Sequence, residues 1–191
     1  AFKPLEELYL SPPRIFVQNL TLDNLRDLFS VMDTSWVPIS RYFFNTLLVT
    51  LAGTSGHVIF ASMAAYVLEK HHFYGRKVFF GLVVTTLLFN STVTSIPNFV
   101  IMSSIGLVDN YLALIIPAFG SPLGLFLMKQ FMESVPNAML EAAKIDGAGE
   151  MRIFFRIVMP TVKPAWLTLI IFSFQSLWNS TGGVLIRSEE L

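Results

Sequence analysis

The 191-residue chain contains no cysteine, so no disulfide can staple it and no thiolate can serve as nucleophile or metal ligand. Charge is scarce too: Asp, Glu, Lys and Arg make up 14% of the chain, and 13 basic residues balance 13 acidic ones. That balance gives no electrostatic reason to expect nucleic acid. Of the three histidines, His71 and His72 are sequence neighbours. Adjacent residues on a helix point about 100° apart, unlike metal ligands at i and i+4, so no metal site is expected. No G-x-x-x-x-G-K-[ST] stretch occurs, which excludes ATP binding through that loop. Without a nucleophile and its base, no catalytic residue is expected either. The first residues show no basic segment leading into a short apolar core, so no signal peptide is expected there.

What the chain has in quantity is apolar surface. Hydrophobic residues make up 53% of it, with 18 Phe. A helix needs about 20 apolar residues to cross a hydrocarbon core about 30 Å thick. Four stretches approach that: residues 43–68, 78–102 and 111–131, and a last one opened by Lys163 and Pro164 that ends near Trp178 and Asn179. The expected fold is therefore all-α, a polytopic transmembrane helix bundle with about four spans.

The first span is rich in small residues (Ala52, Gly53, Gly56, Ala61, Ala64, Ala65), which let neighbouring helices approach closely. His57 lies near its middle. It reads either as a neutral imidazole bonded to a neighbouring helix or as a proton relay or substrate contact. The second span ends in FNSTVTSIPNF, too polar to face lipid. Asn90, Thr94 and Asn98 fall one turn apart along a stripe, with Ser91 and Ser95 beside it, and Pro97 is expected to kink the helix. The stripe is either helix–helix hydrogen bonding or a wall of a translocation pathway. The third span is interrupted by Pro117 and by GSPLG at residues 120–124. A break at membrane depth is tolerated only where protein or a water-filled cavity covers the freed backbone groups, so this one should face the interior.

Residues 1–41 are polar enough to stay outside the membrane, broken early by Pro4, Pro12 and Pro13. Within them, residues 21–29 read as a short amphipathic helix with Leu22, Leu25, Leu28 and Phe29 on one side and Thr21 as its cap. Residues 103–110 read as an outside loop. Positive charge gathers elsewhere: Lys70, Arg76 and Lys77 in one loop, and Lys129, Lys144, Arg152, Arg156 and Lys163 around another. Since cytoplasmic loops carry the Lys/Arg excess, both are placed inside.

The second of these loops contains EAAKIDGAGEMRIFFRIVMP, residues 141–160, too charged to cross a bilayer. It reads as a small helical hairpin. Pro136 suits a first helical turn, Ser134 its cap, and Gly147 the left-handed turn that ends it. A second helix is expected from about Gly149, stopping before Pro160 because a residue preceding proline is pushed out of the helical region. Met151, Phe154, Phe155 and Val158 should form its apolar face, with Arg152 and Arg156 on another.

The spacing of Glu141, Ala142 and Ala143, then Gly147, then Ile157, Met159 and Pro160 resembles the EAA motif of ABC importer permeases, in the carbohydrate-uptake branch. The family usually has Leu where Met159 stands, and an acidic residue where this chain has Ser180 after Trp178 and Asn179. The resemblance covers roughly residues 20–180.

It implies a permease subunit in a bacterial or archaeal cell membrane, crossing the lipid bilayer several times. It implies ATPase docking through Glu141, Ala142, Ala143, Asp146, Gly147, Ile157 and Pro160, with no cofactor on this chain and ATP and Mg bound by the partner ATPase. The partners it implies are a second, non-identical permease subunit, two ATPase subunits and an extracytoplasmic solute-binding protein. Residues 1–41 become an extracytoplasmic segment, 42–191 the transmembrane permease domain, and 132–163 its cytoplasmic EAA loop. Full-length relatives have a further membrane helix before residue 1 and another after residue 191, so the chain is expected to be most of a permease. Asn90, Thr94 and Asn98 are candidates for the pathway of a sugar or oligosaccharide. A permease for another solute, or a secondary carrier, remains as the alternative; a carrier would usually place charges within its spans, and these are nearly free of them.

Overall fold

A computed structural model describes residues 22, 24, 39–89, 91–108 and 110–180, and no strand occurs among them. The helix expected at residues 21–29 lies outside the described residues except for Leu22 and Asn24, as does Asn90. The chain divides into two compact units, Ala1–Thr46 and Leu47–Leu191.

Helix α1 (Ile39–Lys70) is the longest, at 32 residues. Its buried positions, Thr50, Thr54, His57, Val58, Ala61, Ser62, Ala65 and Tyr66, recur every three or four residues, while Leu51, Ile59, Phe60, Met63 and Val67 are exposed. A helix with small and polar residues inside and large apolar ones outside suits lipid around it and close-packed helices behind it. Ser40–Lys70 is long and apolar enough to cross a membrane, as is Leu112–Glu133.

The stretch 78–102, expected as one span, is two helices: α2 (Arg76–Thr86) and α3 (Ser91–Ser104). Pro97 lies inside α3, and the stretch is interrupted earlier, after Thr86. There the N–H groups of Leu87, Leu88 and Phe89 bond to carbonyls three residues back, a tighter turn than the α-helix. The hydroxyls of Thr85 and Thr86 also bond to the Gly81 and Val83 carbonyls, a local competition that bends or ends helices.

Of the interruptions expected in the third span, the one at Gly120 and Ser121 is present, whereas Pro117 lies inside a helix and Pro122–Gly124 already belong to the next one. Helix α4 (Leu112–Phe119) stops at Gly120, and α5 (Pro122–Glu133) restarts with Pro122 in its first turn, where the missing N–H costs nothing.

Next come α6 (Asn137–Ile145), α7 (Glu150–Thr161) and α8 (Lys163–Trp178), with α7 and α8 meeting at 81°. Helix α7 does not stop before Pro160 but runs through it. A π-helical turn at Phe154–Val158 lets the Met159 N–H bond to the Phe154 carbonyl. That wider turn leaves room for a proline ring that would otherwise clash with the carbonyl four residues earlier. The expected apolar face of α7 is also split. Phe154 and Val158 are buried together with Ile153, while Met151 and Phe155 are 59% and 54% exposed. The helix carries apolar residues over more than half its circumference, and packing selects which of them face inward.

One core holds the elements around the hairpin together. Val58, Ala61, Ala65 and Tyr66 of α1 meet Met128 and Met132 of α5, Leu140 and Ala143 of α6, Ile153, Phe154 and Val158 of α7, and Ala165 and Leu169 of α8.

Candidate functional site

The turn between α6 and α7 is built by Gly147, whose φ is +79°. The Ala148 N–H bonds to the Ala143 carbonyl at 2.9 Å and the Gly147 N–H to the Lys144 carbonyl at 3.0 Å, the two bonds of a Schellman ending. Pro136 precedes the first turn of α6 as its cap residue. Ser134 does not cap α6. Its hydroxyl bonds back to the Phe131 carbonyl at 2.7 Å and so closes α5, because Ser134 stands at the C-terminal end of that helix.

The motif residues divide between two faces. Ala143 is buried in the core and Ile157 half-buried, whereas Glu141, Ala142, Asp146, Gly147 and Pro160 are exposed. Ile145, an apolar side chain, stands 87% exposed beside them.

Three polar links that sequence reasoning missed tie this hairpin, and the α5 helix leading into it, to the C-terminal end of α1. Lys70 Nζ donates to the Val135 carbonyl at 2.6 Å and to Asn137 Oδ1 at 3.1 Å. Lys129 pairs with Glu69 at 3.2 Å and with Glu133 at 3.0 Å. The Tyr66 hydroxyl donates to Glu150 Oε2 at 2.8 Å, while Lys144 reaches Glu150 Oε1 at 2.7 Å and His71 approaches to 3.7 Å. The hydrogen bonds from Lys144 and Tyr66 hold the Glu150 carboxyl below its ordinary value, so it is ionised at neutral pH. The loop of residues 69–77 and the hairpin, the two positive clusters of the sequence, therefore lie at the same end of α1.

Along α1, His57 Nδ1 lies 2.6 Å from Ser173 Oγ of α8. The imidazole is bonded to a neighbouring helix, the first of the two readings of this residue. Its other edge rests against the backbone of Gly124, where a Cβ would collide with the ring.

Of the polar stripe, Thr94 is exposed and Asn98 half-buried. Asn98 lines a cavity of about 450 Å³ with Ser95, Phe99, Pro117, Leu177 and Ser180. The structure thus brings Asn98 next to the helix that precedes the Gly120 break. Ser180, where the family pattern has an acidic residue, lies on the same wall. Among the described residues, no group of three or more His, Cys, Asp or Glu side chains could hold a metal.

Residues 57–186 match the family described as binding-protein-dependent transport system inner membrane component. The polygalacturonan/rhamnogalacturonan transport system permease protein YtcP of Bacillus subtilis is 36% identical over 150 residues, 73% of this chain and 52% of its own length. The arabinooligosaccharides transport system permease protein AraQ of Halalkalibacterium halodurans is 30% identical over 195 residues, covering 100% of this chain and 68% of its own length. A solved structure, that of a bacterial ABC transporter involved in the import of the acidic polysaccharide alginate, contains a similar chain. It matches with a TM-score of 0.77 and 25% identity over 98% of this chain and 68% of that one. This chain thus spans 52% of YtcP and 68% of AraQ, about half to two thirds of those relatives. With the helical bundle, the hairpin and these matches together, the chain belongs to the family of binding-protein-dependent transport system inner membrane components.

Proposed function

We propose that this chain is the membrane-spanning permease subunit of an ATP-binding-cassette importer for a sugar or oligosaccharide. The observation that carries the reading is the hairpin within residues 132–163. Its inner face belongs to the core through Leu140, Ala143, Ile153 and Phe154. Its outer face leaves Glu141, Ala142, Ile145 and Asp146 uncovered around the Gly147 turn. An element packed on the core from behind, with small residues that admit close approach, an uncovered Ile145 and acidic groups that can meet a positive edge, suits insertion into a groove of another protein. In this reading the hairpin docks on one of two ATPase subunits, which bind ATP and Mg. Residues 69–77 and 132–163 are cytoplasmic, and residues 1–41 extracytoplasmic. Residues 42–191 form the permease domain in the lipid bilayer. A second, non-identical permease subunit completes the pathway, and an extracytoplasmic solute-binding protein delivers the solute.

Support for a carbohydrate solute comes from the names of YtcP, AraQ and the alginate transporter, and from the cavity lining. Ser95, Asn98 and Ser180 offer hydroxyls and an amide, and Phe99 an aromatic face. Asn90 and Thr94 extend the same stripe in sequence.

Three experiments test the reading. The chain has no cysteine of its own, so an introduced one reports alone. Ala142→Cys in the assembled importer is expected to cross-link to the ATPase subunit, and no cross-link to that subunit in any nucleotide state would reject the docking. Cysteines at 90, 94 and 98 are expected to react with a membrane-impermeant thiol reagent in at least one state of the cycle. Asn98→Leu should reduce solute import while the complex still assembles and hydrolyses ATP. If all three cysteines stay inert, the stripe serves helix packing only.

A further inference from the structure

The geometry points to Tyr66 and Lys70 as positioning residues that strap α1 to both ends of α6, making α1 the lever that carries hairpin motion to the cavity. The inference rests on the reading of the hairpin as the ATPase-docking element. Tyr66 and Lys70 are four residues apart on α1 and so share one face. Lys70 holds the entry to α6 through the Val135 carbonyl and Asn137. Tyr66 holds the exit through Glu150, whose second oxygen accepts from Lys144 in the last turn of α6. A helix tied to one rod at both ends can neither slide along it nor swing away without breaking a link.

The Tyr66 link is built for stiffness. The residue is 6% exposed, its ring packs against Phe154 at 5.3 Å and edge-on to His71 at 5.4 Å, and the acceptor is an ionised carboxylate. Hydrogen bonds to charged acceptors are roughly twice as strong as neutral ones.

The far end of the lever is also gripped. Nine residues along α1, at about 1.5 Å each, place His57 roughly 14 Å from Tyr66. There the imidazole is bonded to Ser173 of α8 and seated on Gly124 of α5. Helix α8 carries Leu177 and α4 carries Pro117, both on the cavity wall. Tilting α1 therefore moves helices that line the cavity, through packed contacts rather than through a flexible loop.

The test uses the full importer in lipid nanodiscs, with cysteine-free partner subunits and Asn98→Cys as the single reporter. Its labelling rate by a membrane-impermeant maleimide is measured without nucleotide and with MgATP. The parent complex is expected to show a nucleotide-dependent rate. In Tyr66→Phe that dependence should fall severalfold, because the Glu150 acceptor is 46% exposed and partly screened, and in Tyr66→Phe with Lys70→Met it should fall about tenfold or vanish. The ATPase subunits should still copurify, and ATP hydrolysis should continue. Glu150→Gln, which keeps an oxygen acceptor for Tyr66, should retain more of the dependence than Glu150→Ala. Three results overturn the inference: variants that respond to nucleotide like the parent, a parent whose reporter ignores nucleotide, or a Tyr66→Phe complex that no longer assembles. Failure of the ATPase to copurify with the parent is a separate result. It rejects the hairpin reading itself.

Discussion

Gly147→Val is expected to leave the chain in the membrane while ATPase association and solute uptake are weakened. The cause is conformational, because nothing lies within 4 Å of where a Cβ would stand. At φ +79° an L side chain crowds the adjacent carbonyl, at a cost of about 1–2 kcal/mol, and a β-branched one fares worst. That is a factor of about 5–30 against the observed turn. The turn orients α7 against α6 and keeps Ile145 and Asp146 at the tip, so relaxing it misdirects the whole outer face. Membrane insertion is set by the apolar helices on either side and should not change. Gly147→Asn is the control, since Asn enters the left-handed region more readily and should retain much of the binding. Copurification of the ATPase and ATP-dependent uptake in vesicles measure both. Equal binding by the Val variant and the parent would remove the turn from the docking geometry.

The second large effect is expected at Gly124. An added methyl group would occupy space held by the His57 ring. The ring has no easy exit: His57 is 4% exposed and its Nδ1 is bonded to Ser173. Gly124→Ala should therefore push α1 and α5 apart or rupture the Ser173 bond. Overpacking of this kind costs about 1–3 kcal/mol. If the collision is the cause, His57→Ala must relieve it. The double variant Gly124→Ala with His57→Ala should then be more stable than the sum of the single effects predicts, a coupling of about 0.5–3 kcal/mol for residues in contact. Thermal unfolding of the detergent-solubilised complex, followed by size-exclusion chromatography, reads this directly. Simple additivity would mean that Gly124 and His57 do not share that space.

How far each feature was legible in the sequence follows from how local its cause is. The end of α6 at Gly147 and the break at Gly120 depend on a few consecutive residues, and both stand where the sequence reading puts them. The interruption after Thr86 is local as well, but its signal is two threonine hydroxyls bonding backward, which competed unseen with the louder signal of Pro97. Pro160 misled for a related reason. Its exclusion from an α-helix is real, and a π turn evades it.

The inward face of α7 was not legible, because Ile153, Phe154, Phe155 and Val158 are all apolar. Periodicity selects a face only when the other faces are polar. The Tyr66–Glu150 link joins residues 84 positions apart, and nothing in either neighbourhood announces the other.

From sequence alone came the helical class, the membrane-length apolar stretches, the clustering of positive charge and the hairpin with its motif. Each is a matter of composition, period or spacing along the chain. Tertiary structure alone decided that Ala143 turns inward while Ala142 turns out, that His57 meets Ser173 and Gly124, and that Asn98 shares a cavity with Pro117 and Ser180. It also decided that the end of α1 reaches both the entry to α6 and the turn that follows it. These depend on which helices become neighbours. A sequence of mostly apolar helices leaves that choice open, since nearly every face is greasy enough to be buried, and only close packing of small residues and the pairing of a few polar groups close it.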